Sequence, residues 1–115
     1  MRAIANKINV GGVLSYELVD IASYEDYCKH IGAEFFDVVT VEYMGHRLSV
    51  FIDDEGMLKP HNVGRMITSY PEPIFGNVII AGDVDASGNT LPLPDEITLS
   101  NILGFSSAVQ YIIKG

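Results

Sequence analysis

Residues 35–56, FFDVVTVEYMGHRLSVFIDDEG, decide the fold of this chain. Phe36, Val38, Thr40 and Glu42 lie on one face of an extended segment, and Phe35, Asp37, Val39, Val41 and Tyr43 lie on the other. Apolar residues on both faces predict a strand inside a sheet. Met44-Gly45-His46 reads as a turn, and Leu48, Val50 and Ile52 then resume a period of two. A hairpin follows, ending in the acidic, glycine-closed turn Asp53-Asp54-Glu55-Gly56.

Upstream, Ile4, Ile8 and Val10, then Leu14, Tyr16 and Leu18, form short alternating runs about Gly11-Gly12, the pattern of an N-terminal hairpin. Ser23 with Asp26 is a variant capping box, and Tyr24, Tyr27, Cys28 and Ile31 recur at helical spacing before Gly32. This predicts a helix over 24–31 with glycine in the left-handed position beyond its end.

Downstream, Pro60 stops any strand. Asn62 is positioned to cap a short helix carrying Val63, Met66 and Ile67, which Tyr70-Pro71-Glu72-Pro73 forbids to continue. Val78-Ile79-Ile80-Ala81, between Gly76 and Gly82, reads as a buried strand, and residues 83–89 as a polar loop. Asp95 is a candidate N-cap for a helix over about 96–103, closed by Gly104. Phe105 to Lys114 fits either a helix capped by Ser106 or an edge strand. The expected fold class is α+β: a small antiparallel sheet, with mixed pairing as the alternative, carrying two or three short helices. No linker or repeat divides residues 1–115, so a single domain is expected.

With 48% hydrophobic and 19% charged residues, the composition is that of a chain that folds around a core. Seven Lys and Arg against fifteen Asp and Glu give a net charge of -8. That balance disfavours a grip on nucleic-acid phosphates or an anionic membrane, both of which need clustered cations. The surplus acid serves solubility, or else it steers the protein to a basic partner surface. Cys28 is the single cysteine, which excludes an internal disulfide and a multi-cysteine zinc site. No apolar run approaches the roughly 20 residues of a membrane span, and a cytoplasmic location is expected.

The order of a short helix, FFDVVTVEY, RLSVFIDDEGMLKPHNVGRM and PIFGNVIIAGD resembles the family called domain of unknown function 3846. The resemblance rests on Val38 to Val41, Val50 to Gly56, Asn62 with Arg65, and Gly76 to Gly82, and it covers about residues 23–96. Tyr70-Pro71-Glu72-Pro73 and the segment after Ile97 depart from it. The resemblance brings no activity; it implies a small accessory protein of a phage or mobile element at work in the bacterial cytoplasm.

Candidate chemistry is sparse. Asp83-x-Asp85-x-Ser87-Gly88 matches the first half of a calcium loop, but position twelve is Pro94 where a bidentate Glu is required. His30, His46 and His61 lack the spacing that places two ligands on one helical face, so no metal is expected. Cys28 falls on the apolar side of the predicted helix, where a thiol is inert. No serine sits in a nucleophile elbow, and the glycines fit neither dinucleotide nor phosphate-loop signatures. No enzyme and no cofactor are expected. His61, Asn62 and Arg65 at a predicted helix start offer an alternative, a small-anion site for a nucleotide signal; capping by Asn62 and pairing of Arg65 with an acid such as Glu72 is the plainer reading.

The leading expectation is a counter-defence protein, of the anti-CRISPR or anti-restriction kind, that binds and inhibits a basic bacterial host protein, such as a nucleic-acid-processing enzyme. Asp53, Asp54, Glu55, Asp83 and Asp85 would form the contact surface if their two turns stood together. The alternatives are a nucleotide-sequestering module, with an oligomer carrying sites between its subunits as one form of it, and a structural or regulatory phage domain.

Overall fold

The computed structural model describes residues 1–59 and 63–108. β1 (Arg2–Ile8) and β2 (Leu14–Asp20) form the first hairpin, α1 (Tyr24–Ile31) follows, and β3 (Phe36–Tyr43) with β4 (His46–Asp53) forms the second. β5 (Gly64–Ile67), β6 (Ile74–Phe75), β7 (Val78–Ala81) and β8 (Ser106–Ala108) complete the strands. One antiparallel sheet has the order β2-β1-β7-β4-β3, and a smaller one the order β6-β5-β8.

β7 joins the two hairpins, because Ile80 stands opposite Ile4 on one side and Val50 on the other. Its four residues have no exposed surface. A central strand covered on both faces has no use for alternation, which is why Val78 to Ala81 is apolar throughout. Ile4, Leu48, Val50, Val78 and Ile80 face a core shared with Ile67 and Ile74 of the smaller sheet and with Leu93, Ile97, Ile102 and Phe105. Ala3, Phe51, Ile79 and Ala81 face the other way, onto Ile31 and Tyr27 of α1. Fully burying one such isoleucine contributes roughly 1.5–3 kcal/mol, so these two cores set the layered arrangement.

α1 forms where the capping signals place it. The Asp26 carboxylate accepts the N–H groups of Ala22 (2.8 Å) and Ser23 (3.2 Å). These bonds, Ala22's first, hold its carboxyl below the usual carboxylate range. Gly32, at φ 78°, ends the helix and donates its N–H to the Cys28 carbonyl at 2.8 Å. Cys28 itself is half-buried, its thiol 3.5 Å from the Glu34 carbonyl.

Four expectations are corrected. β3 is an edge strand, not an interior one; Val39, Val41 and Tyr43 pack on one core and Phe36 on the other, which supplies the apolar residues on both faces without a second neighbouring strand. Residues 64–67 form strand β5 instead of a helix. There Val63, Arg65 and Ile67 are buried on one side, and pairing of Arg65 with Ile74 and Ala108 outweighs the local capping signal. No helix spans 96–103; a single 3-10 turn covers Asn101–Gly104. The Arg2 guanidinium occupies the carbonyls of Leu93, Pro94 and Ile97, and the Asn101 side chain holds the Thr98 N–H and the Glu96 carbonyl. Side-chain bonds of this kind compete directly with the helical ladder. The helix content among the described residues is therefore α1 plus two 3-10 turns, Gly56–Leu58 and Asn101–Gly104, in a mainly β domain. Of the two readings for the last segment, residues 106–108 take the strand; the remainder lies outside the described residues.

Candidate docking surface

β4 and β7 run antiparallel with Ser49 opposite Ala81 and Phe51 opposite Ile79. Asp83 therefore leaves the sheet beside the start of β4, whereas Asp53 and Asp54 lie at its far end. At about 3.3 Å per residue the separation along the strand is roughly 20 Å. The two acidic turns are not presented together, contrary to the sequence expectation: each follows the C-terminal end of its strand, and antiparallel pairing of β4 with β7 puts those ends at opposite ends of the sheet.

The individual acids also differ in what they do. Asp53 is buried, with 4% of its side chain exposed, and pairs with Lys59 at 2.6 Å. Its second oxygen accepts the Glu55 N–H at 3.0 Å, so Asp53 shapes the turn and does not offer a free charge. Asp85 accepts the N–H groups of Ser87 and Asn89, both at 2.9 Å, and Asp83 accepts that of Val84 at 2.8 Å. Those two carboxylates organise their own loop. Among the described residues no group of three or more His, Cys, Asp or Glu is arranged to hold a metal ion.

His61 and Asn62 lie outside the described residues. Arg65 does not stand at a helix start: it sits in β5 with no exposed surface. Its Nη2 donates to the Asn6 carbonyl at 3.3 Å, while Nε and Nη1 find no acceptor. Burial pulls its pKa down to about 10, opposed by the nearby Tyr16 phenol, whose own hydroxyl is also buried without a partner. The guanidinium is thus enclosed and charged, and the pairing with Glu72 does not occur, since Glu72 is on the surface.

What the fold does gather lies around Asp54. One hollow of about 280 Å³ is bounded by Glu34, Phe35, Asp54, Glu55 and the Asp53–Lys59 pair. A second, of about 160 Å³, shares Asp54 and adds Asp37, Met57, Tyr70 and Glu72. Glu34, Asp37, Asp54, Glu55 and Glu72 are all exposed, and Lys59, the cation bordering the first hollow, is already neutralised by Asp53. Phe35, at 63% exposure, lines the first hollow and Met57, at 60%, the second; Leu58, next to Met57 in sequence, is 80% exposed. Large apolar side chains this exposed beside carboxylates are the composition that a contact surface uses where they are contiguous.

An aromatic stack fixes the base of this surface. Tyr24 lies on Phe36 with centroids 5.0 Å apart, and its hydroxyl donates to the Glu34 carbonyl at 2.6 Å. Tyr27 contacts both Phe36 and Phe51. Desolvation first, and Cys28 beside it, push the Tyr24 phenol above its ordinary value, and burial does the same to Tyr27, so both rings are neutral and apolar in this wall. Glu34, Phe35, Asp37, Met57 and Glu72 were not singled out from the sequence. The signal for two of them was present: Phe35 lies just before the strand whose alternation it continues, and Met57, with Leu58, follows a glycine in a polar turn, where apolar residues have no local reason to be.

The fold and surface together define, over the described residues, a small, mainly β, two-sheet domain with one α-helix and an end where exposed apolar and acidic side chains adjoin. The chain belongs to the family described as domain of unknown function (DUF3846), whose model matches residues 8–103. The matched range encloses Tyr70–Pro73 and ends six residues after Ile97. Neither the curated proteins nor the solved structures gave a match.

Proposed function

We propose that this protein is a non-enzymatic binding module that docks, through the acid-rimmed end of its larger sheet, onto a basic protein surface with an apolar recess, and blocks it. A nucleic-acid-processing enzyme of a bacterial host is the partner class whose working groove has that chemistry, which makes counter-defence the favoured role. The observation that supports the reading is that exposed Phe35 lines one hollow and exposed Met57 the other, that the two hollows share Asp54, and that five exposed carboxylates border them. Apolar anchors inside a charged rim supply the two parts of a specific interface, the burial that holds the complex and the field that brings the partner in.

The test compares capture from bacterial lysate by the wild-type chain, by an Asp54→Lys/Glu55→Lys/Glu72→Lys variant, and by an Asp83→Lys control at the opposite end of the sheet. The reading expects a protein retained by wild type and control, released by moderate salt, and lost by the triple variant. Capture that does not respond to the triple reversal would remove the acidic end from the interface.

A further inference from the structure

β3 is an outer strand of the larger sheet, and its backbone shows which residues face outward. The two-residue turn Met44-Gly45, at φ 52° and 77°, closes on the pair Tyr43 and His46. In such a hairpin the closing pair exchanges hydrogen bonds, so the odd-numbered residues of β3 bond to β4 and the even-numbered ones point away. Glu42 agrees: its N–H donates to the Ser69 hydroxyl at 2.9 Å, and that hydroxyl donates to its carbonyl at 3.0 Å. Ser69 holds a left-handed φ of 64°, a conformation that disfavours a non-glycine residue, while it occupies this end of the edge. Phe36, Val38 and Thr40 have no such cover, and their outward N–H and C=O groups meet no partner among the described residues.

An edge of this kind is normally blunted by lysine, proline or a bulge. The stretch from Phe36 to Thr40 has none of these. Val38, on the α1 side, is 53% exposed, and Asp37, on the other, borders the smaller acidic hollow. The open edge therefore runs directly into the surface formed by Phe35, Asp54 and Glu55.

Resting on the docking reading above, we propose that the partner enters as an extended segment that adds a sixth strand along Phe36–Thr40, with alternating basic and apolar side chains. Main-chain bonds to Phe36, Val38 and Thr40 would supply affinity, an apolar side chain would cover Val38, and basic ones would meet Asp37, Glu34 and Asp54. The other edge strand, β2, adjoins neither acidic hollow.

The probe is a hexapeptide alternating lysine and valine, capped at both ends, titrated into the isotopically labelled chain. Strand addition expects salt-sensitive binding with the amides of Phe36, Val38 and Thr40 slowed in hydrogen exchange by on the order of tenfold or more. Val38→Pro, which removes an outward N–H without breaking a bond to β4, is expected to abolish that protection, and Val38→Thr to retain it; the dispersion of the remaining amide signals reports that each variant is folded. Protection absent at these three amides at saturating peptide, or unchanged in Val38→Pro, overturns strand addition. Lysate capture that still depends on Asp54, Glu55 and Glu72 would then leave the docking reading standing, so the two failures are distinct.

Discussion

Replacing Arg65 with methionine should stabilise the protein. The guanidinium is fully buried, makes one 3.3 Å hydrogen bond to the Asn6 carbonyl, and leaves Nε and Nη1 unpaired. Burial lowers its pKa to about 10; at about 1.4 kcal/mol for each tenfold, keeping it charged costs roughly 3 kcal/mol. The sign follows from linkage: a cation whose pKa falls on folding weakens the fold at every pH below about 10, and the penalty is relieved only above that. Against this, the lost hydrogen bond contributes about 1 kcal/mol, at the weaker end because it is long. Methionine keeps most of the apolar stem, so little packing is lost. The net expectation at neutral pH is a gain of about 1–3 kcal/mol, in the range seen when buried charges give way to apolar residues. In urea unfolding this is a midpoint about 1 M higher at unchanged slope. A loss of about 2 kcal/mol or more would refute the reasoning, because the buried charge would then be contributing more than its desolvation costs.

Two further substitutions test local features. A Cβ on Gly82 would lie 2.2 Å from the Pro92 carbonyl oxygen and 2.8 Å from that of Leu91, both backbone atoms with little freedom to yield. Gly82→Ala should cost about 3 kcal/mol in thermal unfolding, and an unchanged melting temperature would contradict the passage of residues 91–92 over β7's end. Asp26, whose carboxyl is held below its ordinary value by the Ala22 and Ser23 N–H groups, supports α1 at pH values above the ordinary carboxylate range and loses that effect as pH falls through the lowered value. Hydrogen exchange across Tyr24–Ile31 should accelerate on acidification in the wild type and show a flat response in Asp26→Asn; equal pH dependence in both would contradict the cap.

The readable parts of the fold were those whose signal is local. Both hairpins and α1 stood where period and capping chemistry put them: Gly11-Gly12, Met44-Gly45 and Gly32 each supply a turn or helix end that the neighbouring few residues already require. The failures share a cause. β5 carries an alternating Val63, Arg65 and Ile67 on its buried side, but a charged residue in the middle breaks the apolar pattern, and only partners 9 and 43 positions away make the strand. Residues 96–103 carry a helical pattern and a plausible cap, yet Arg2, more than ninety positions away, takes the carbonyls of Leu93, Pro94 and Ile97.

The surface shows the same division. Charge and composition by themselves established an acidic chain with the composition of one that folds, because those are sums over residues and need no geometry. Which acids are free, and which stand together, required the antiparallel register. It sends Asp83 and Asp85 to one end and Asp54 and Glu55 to the other, turns Asp53 inward onto Lys59, and sets Glu34 beside Phe35 and Asp37 and Glu72 beside Met57. Local sequence determined the elements, since a turn or cap is decided within a few residues. The tertiary structure alone decided the edge of β3 and the acidic end beside it, since both arise from pairings between segments whose sequences carry no mark of one another.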